Sequence, residues 1–376
     1  MVYIIAILSV IFLGLAIMVV SRMAAVVKSA SGSVEEGQIG MSNKINGALF
    51  LVFLVLGIIG AIWSYLHSVQ YFLPEASTEH GRRTDFLFWL TMGIITAAFV
   101  ITNTLLFTFA WKYQYKKGHR AAYYPENHKL ELIWTVIPAV VMAVLVFSGW
   151  RAWRDIMSEA PADAQVVEIV GKQFNWIVRY PGVDDNKLGA YNYKLINSSN
   201  ETGIDYTDEA SFDDFTSPSE LHIPVNKPVL LKIRARDVLH SVFIPHLRVK
   251  MDAVPGMPTR FWFVADKTTD EMRNVTGNPD FKYEIACTEV CGRGHFSMKI
   301  NLVVEDEASW QAWCKEQKPL LNTTPELADR IPTSLKAKAA KYLPTEGTQE
   351  AAAPADSTTA RVQPSGGASL VTATIR

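Results

Sequence analysis

Cys287-Thr288-Glu289-Val290-Cys291-Gly292-Arg293-Gly294-His295-Phe296-Ser297-Met298 places two thiols, an imidazole and a thioether within twelve residues. Short, alternating, β-branched segments flank it at 282–286 and 299–304. Others occupy 166–170, 176–180, 228–233 and 260–264. Period-2 alternation of this length reads as strands, and the turn signals Pro181-Gly182, Pro255-Gly256 and Gly277-Asn278-Pro279 separate them. Many short strands without helical periodicity predict a β-sandwich or barrel over residues 160–305, with the Cys/His/Met run as a loop between two late strands.

The chemistry of that loop is selective. Thiolate, imidazole and thioether form the soft set that favours copper, whereas hard cations want carboxylates and carbonyls. Two other readings stay open on the residues alone. Cys287 and Cys291 could form a disulfide, or the loop could contribute to a structural zinc site, which needs further Cys or His ligands and has no use for Met298. A second imidazole comes from Arg236-Asp237-Val238-Leu239-His240-Ser241. His240 is expected at a strand end, at the same pole as the Cys loop. Asp237 and Asp252 lie near the ligand segments and are candidates to hydrogen-bond them. His246 carries no such support. Cys314 falls in an expected helix over 308–317 and reads as a buried or idle thiol.

Upstream of the β region the character changes. Apolar runs occupy 2–20, 47–65, 86–111 and 132–150, each close to the ~20 residues that carry a helix across a ~30 Å hydrocarbon core. Four spans are expected. The first run resembles a signal peptide in length but lacks the basic n-region. Lys112, Lys116, Lys117, Arg120 and Lys129 crowd the loop before the fourth run, and Arg22, Lys28 and Lys44 the loop after the first. Positive loops face the cytoplasm, so everything after Trp150 is expected outside, in an oxidising compartment. Arg82 and Arg83 weaken that contrast only slightly.

Composition agrees. The chain has 376 residues, 49% hydrophobic and 19% charged, with net charge -1, and mean hydropathy of +0.11. This is not the composition of a disordered chain. No basic excess exists to neutralise phosphates, so no nucleic-acid partner is expected. Three cysteines are too few for a disulfide scaffold. Between Gly182 and Pro224 lies a polar insert holding Asp184, Asp185, Glu201, Asp205, Asp208, Glu209, Asp213, Asp214 and Glu220. It reads either as a solvated loop or as an acidic face for a basic partner. The Ala/Thr/Ser/Gly/Pro-rich stretch 344–376 reads as a disordered tail.

The run CTEVCGRGHFSM, with DVLHS upstream and VKMDAVPG between, resembles subunit II of haem–copper cytochrome c oxidases. Glu131-Leu132-Ile133-Trp134-Thr135-Val136-Ile137-Pro138-Ala139 is similar to that family's second transmembrane helix. The resemblance covers about residues 84–305. It implies a membrane-anchored, cupredoxin-like β-domain with a binuclear copper A centre. It divides the chain into two extra helices (1–66), a helical hairpin (84–153), the copper domain (160–305), a short helical extension (306–343) and the tail (344–376). By resemblance, Cys287 and Cys291 bridge two copper ions, His240 and His295 are terminal ligands, and Met298 is a weak axial ligand. Glu289 gives its carbonyl to copper and its carboxylate to a magnesium or manganese site shared with subunit I.

The same resemblance assigns Glu131 to proton entry. It assigns Phe174 and Trp176, within Gly171-Lys172-Gln173-Phe174-Asn175-Trp176, to electron entry from cytochrome c. Many members carry Trp where this chain has Phe174, which puts the usual docking mode in doubt. No Cys-x-x-Cys-His motif is present, so the donor is expected to be a separate cytochrome c, held in a supercomplex or free. The implied partners are subunit I and other oxidase subunits, and the implied location is the multi-pass inner membrane of a bacterium, copper domain outward. The implied function is electron input from cytochrome c to haem a, oxygen being reduced in subunit I. Two alternatives are a quinol oxidase subunit II, which lacks the copper ligands, and a membrane-anchored copper chaperone, which has one span and a thioredoxin-like domain.

Overall fold

A computed structural model describes residues 12–23, 41–116, 118–182 and 186–344. Helix α1 is described over Phe12–Met23, an apolar stretch below the length of a candidate span. Helices α2 (Met41–Ser68), α3 (Glu79–Lys112) and α4 (His128–Ile156) are each long and apolar enough to span one. Among the described residues there are thus three candidate spans rather than the expected four. The start of the first apolar run lies outside them, as does the expected tail beyond Pro344.

The two hairpin helices start where their sequences stop them from starting earlier. The Thr78 side chain accepts a hydrogen bond from Gly81 N–H at the head of α3, and Glu79 complements the dipole in its first turn. Asn127 caps α4 by accepting from Leu130 N–H, and the Glu131 carboxylate accepts Asn127 N–H in return at 3.1 Å. That exchange satisfies two orphan donors in the manner of a capping box, one residue further along. At 34 residues, α3 is about 50 Å long. It therefore overruns the hydrocarbon core and carries its first turns into the outer domain.

The outer domain packs two five-stranded sheets face to face. The first contains β1 (Gln165–Lys172), β2 (Asn175–Tyr180), β3 (Phe215–Ser217), β5 (Pro228–Ala235) and β8 (Thr259–Val264), in the order β3-β2-β1-β5-β8. The second contains β4 (Glu220–Pro224), β6 (His240–Ile244), β7 (Val249–Ala253), β9 (Tyr283–Cys287) and β10 (Lys299–Glu305), in the order β4-β10-β9-β6-β7. The β1–β5 and β4–β10 pairs are parallel and the remaining ladders antiparallel. Val167, Ile169, Val229, Leu231 and Ile233 from one sheet meet Val242, Ile244, Ile285, Leu302 and Val304 from the other in one buried core. All six expected strands form. His240 opens β6 rather than ending a strand, because the chain before it is occupied by the Asp237 turn.

The insert is not a free loop. Ile204, Tyr206 and Phe212 are buried in a second small core with Leu321, Leu327, Ile331 and Ala339 from the segment after the helix Glu307–Glu316. The hairpin and the β-domain are clasped together. Arg248 grips Asp85 with two hydrogen bonds of 2.7 and 2.8 Å, Arg82 pairs with Asp266, and Thr78 Oγ1 donates to Leu247 O.

Candidate metal centre

Strand register brings the two ligand segments together. Val242 of β6 lies opposite Cys287 of β9, so His240 stands beside the start of the β9–β10 loop. Cys287 N–H donates to Met298 O at 3.0 Å and closes the base of that loop. Thr288 N–H donates to Ser241 O and ties the loop to β6. Inside it, Gly292 takes φ of +133°, a conformation that favours glycine, and 295–297 form a 3-10 turn.

The result is a row of donor atoms. His240 Nδ1 lies 3.8 Å from Cys287 Sγ, and Cys287 Sγ lies 4.0 Å from Cys291 Sγ. Cys291 Sγ is 3.7 Å from His295 Nδ1 and 3.8 Å from Met298 Sδ. Glu289 O is 3.3 Å from Cys287 Sγ. Two sulfurs sit in the middle, an imidazole stands beyond each, and a thioether and a carbonyl flank opposite sulfurs. Both thiols are free, so the disulfide reading does not hold. One tetrahedral zinc would need four of these six donors; the thioether, with the two thiols, favours soft-metal chemistry. His240, Cys287, Cys291 and Met298 are buried. Burial, with Cys287 beside it, pushes the Cys291 thiol up to about 11. A metal ion held here would stabilise both sulfurs as thiolates.

Neighbouring side chains hold the donors in place. Asp237 Oδ1 lies 2.9 Å from His240 Nε2, which leaves Nδ1 to face the sulfurs. Burial raises the Asp237 carboxyl, and hydrogen bonds from Gln173 N–H, His240 and Val238 N–H outweigh it and hold it below the usual range. Gln173 also donates its side-chain amide to Cys291 O at 2.6 Å. Gly171 leaves room for His240, since a Cβ there would lie 2.8 Å from the ring. Trp176 has no exposed surface and stands edge-on behind His240 at 5.9 Å. Phe174 is 39% exposed and lies over the metal loop, where a Cβ on Gly294 would meet its ring at 2.4 Å.

The other expected residues fall at varied distances from this centre. Asp252 accepts from Ser241 Oγ at 2.7 Å and so touches the ligand strand indirectly. The Glu289 side chain is exposed at the pole. Glu131 lies at the far end of α4, engaged with Asn127 and His128. His246 packs at the hairpin junction, its Nδ1 2.9 Å from Glu75 O. Cys314 is buried under the β-domain. Gln173 stands within the aromatic segment 171–176. No local pattern reveals its role, because its partners stand 64 and 118 residues away.

Comparisons with known proteins agree with this geometry. Residues 165–306 match the family described as cytochrome c oxidase subunit II, periplasmic domain, and residues 66–151 match its transmembrane domain. The alternative cytochrome c oxidase subunit 2 of Bradyrhizobium diazoefficiens is 34% identical over 275 residues, covering 72% of this chain and 92% of that protein. Cytochrome c oxidase subunit 2 of Cereibacter sphaeroides is 29% identical over 256 residues, covering 64% and 77%. That of Thermostichus vulcanus is 25% identical over 314 residues, covering 69% and 83%. With its outer β-domain and its hairpin both matched, the chain belongs to the cytochrome c oxidase subunit II family.

Proposed function

We infer that this chain is the electron-input subunit of a cytochrome c oxidase and works beside the other oxidase subunits. The family carries a copper A centre. The residues that would hold it are His240, Cys287, Cys291, His295 and Met298, with the carbonyl of Glu289. The convergence of these six donor atoms at one pole of the β-domain carries the reading. When bound, such a centre supplies one-electron redox chemistry with little rearrangement. The chain's own part is to hold the donors still and keep water out. The two sheets form a rigid base, Asp237 orients His240, and buried Met298 and Trp176 close the site from within.

Electrons enter, on this reading, from a separate cytochrome c over the exposed pole. Phe174, Leu239, Val290 and Phe296 form an apolar rim there. Phe174 is the better candidate for first contact, and the buried Trp176 is support behind His240. Electrons leave towards haem a of subunit I. The exposed Glu289 carboxylate is available for a magnesium or manganese ion at that boundary. Glu131 lies at the opposite membrane face, the place for proton entry. The copper domain faces outward, an orientation that the loop charges support, and the membrane is on this reading a bacterial inner membrane.

Neither alternative is favoured. The outer domain is two packed β-sheets, not the α/β arrangement of a thioredoxin-like chaperone, and every copper donor that a quinol oxidase subunit lacks is present. Stopped-flow mixing of reduced cytochrome c with the purified oxidase tests the role. Fast cytochrome oxidation, abolished by Cys291→Ser, supports it; turnover with quinol and none with cytochrome c refutes it.

A further inference from the structure

Glu201 lies in the insert, far from the ligand motif in sequence, yet its carboxylate reaches both segments that support His240. One oxygen is 2.6 Å from Lys172 Nζ at the end of β1, and the other is 3.3 Å from Arg236 just before the Asp237 turn. These two segments are already joined by Arg236 N–H donating to Gly171 O at 2.8 Å and by Gln173 N–H donating to Asp237 Oδ2 at 2.7 Å. Gly171 packs on the His240 ring, and Asp237 holds its Nε2. The carboxylate thus bridges two cations that sit one residue from the groups in contact with His240.

The turn that presents Glu201 is fixed. Asn200 is fully buried, and its side chain both donates to Ile204 O and accepts from Ile204 N–H, at 2.9 Å each. Thr202 O accepts from Arg234 at 3.1 Å, and Ile204 is buried in the second core with Leu321 and Leu327. A carboxylate on a floppy surface loop contributes little because ordering it costs entropy; this one is ordered before it pairs.

We propose that Glu201 is a positioning residue for the metal centre, through which the insert sets the placement and the electrostatic environment of His240. The proposal rests on the ligand assignment above. Removing the carboxylate leaves Lys172 and Arg236 uncompensated beside the site. Added positive charge favours the reduced centre, and a looser Gly171–Asp237 contact frees the His240 ring.

The test uses purified oxidase carrying Glu201→Gln, Glu201→Asp or Glu209→Gln. The last breaks the Lys338–Glu209 pair elsewhere on the insert and serves as the control. Glu201→Gln is expected to raise the midpoint potential of the centre. It should also speed loss of copper to a chelator by about threefold to tenfold, less than the 10–100-fold typical of a group that holds a ligand directly. In the copper-depleted oxidase, the amides of 171–175 and 236–240 should exchange faster. Glu201→Asp should restore these properties and Glu209→Gln should change none of them. Unchanged potential and copper retention in Glu201→Gln, or equal changes in Glu209→Gln, overturn the proposal. A wild-type oxidase without a copper spectrum would instead overturn the ligand assignment, which separates the two failures.

Discussion

Asp237 decides which nitrogen of His240 faces the sulfurs, because its Oδ1 occupies Nε2 at 2.9 Å. Truncating it removes that hold and leaves Gln173 N–H and Val238 N–H without their acceptor. Asp237→Ala should lower copper affinity by about 10–100-fold, measured as copper retained by the oxidase against graded chelator. Retention equal to wild type would show that His240 is oriented by packing alone. Met298 is a buried thioether 3.8 Å from Cys291 Sγ. Met298→Leu keeps volume and removes the donor. The domain should stay folded, while the midpoint potential shifts and electron uptake slows. An unchanged potential would remove Met298 from the ligand set. At this scale the sequence was legible where donors are close along the chain: Cys287, Cys291, His295 and Met298 announce themselves by spacing. Gln173 and Glu201 do not, since their partners are brought to them only by strand pairing.

The elements separate two roles that one residue combines. Glu131 caps α4 through Asn127 N–H, and proton entry is the second role proposed for it. Gln retains the capping acceptor and cannot carry a proton as a carboxylate does. Glu131→Gln should therefore leave α4 and the copper spectrum intact while lowering oxidase turnover severalfold. Normal turnover and proton uptake would assign Glu131 to capping only. The second core is a device of the insert and the C-terminal segment together. Leu321 is fully buried there, and Leu321→Ala should cost about 2–5 kcal/mol locally. The expected readout is faster amide exchange over 188–214 with the copper spectrum retained; no change in exchange would detach the insert from that core. This core was not legible beforehand. Ile204, Tyr206 and Phe212 follow no period among acidic neighbours, and their apolar partners come more than a hundred residues later. Six strands were legible by alternation, whereas β3 has only three residues and β4 and β6 each bury four of their five, which leaves no alternation to read. The first apolar run reads as a span by composition, yet only Phe12–Met23 of it is described as helix.

Across the whole molecule, the charges hidden between the β-domain and the insert make stability depend on pH. Arg179, Glu168 and Asp214 are buried side by side, with Arg179 2.8 Å from Glu168 and 3.3 Å from Asp214. Burial raises the Asp214 carboxyl to about 7; Arg179 opposes the rise, and Asp213 and Glu168 add to it. The folded state thus binds a proton that the unfolded chain releases in the usual carboxylate range. This contribution is full below that range and is lost as pH climbs through about 7, a span worth on the order of a few kcal/mol. Denaturation of the outer domain should therefore become easier from pH 5 to pH 8 by about that much, and Asp214→Asn should flatten the dependence. A wild-type slope that survives the substitution would place the titrating group elsewhere. The same two-sheet frame carries the donor pole and is clasped to the hairpin by Arg248 and Asp85.

The claim on which the account stands is that Cys287 and Cys291 jointly hold two copper ions and do not form a disulfide or a zinc site. Electron paramagnetic resonance of the oxidised, purified oxidase tests it most directly. The expected spectrum is the hyperfine pattern of one unpaired electron shared by two copper nuclei, collapsing when either cysteine is changed to serine. A pattern from a single copper, or no copper signal from this subunit with both thiols oxidised to each other, would contradict it.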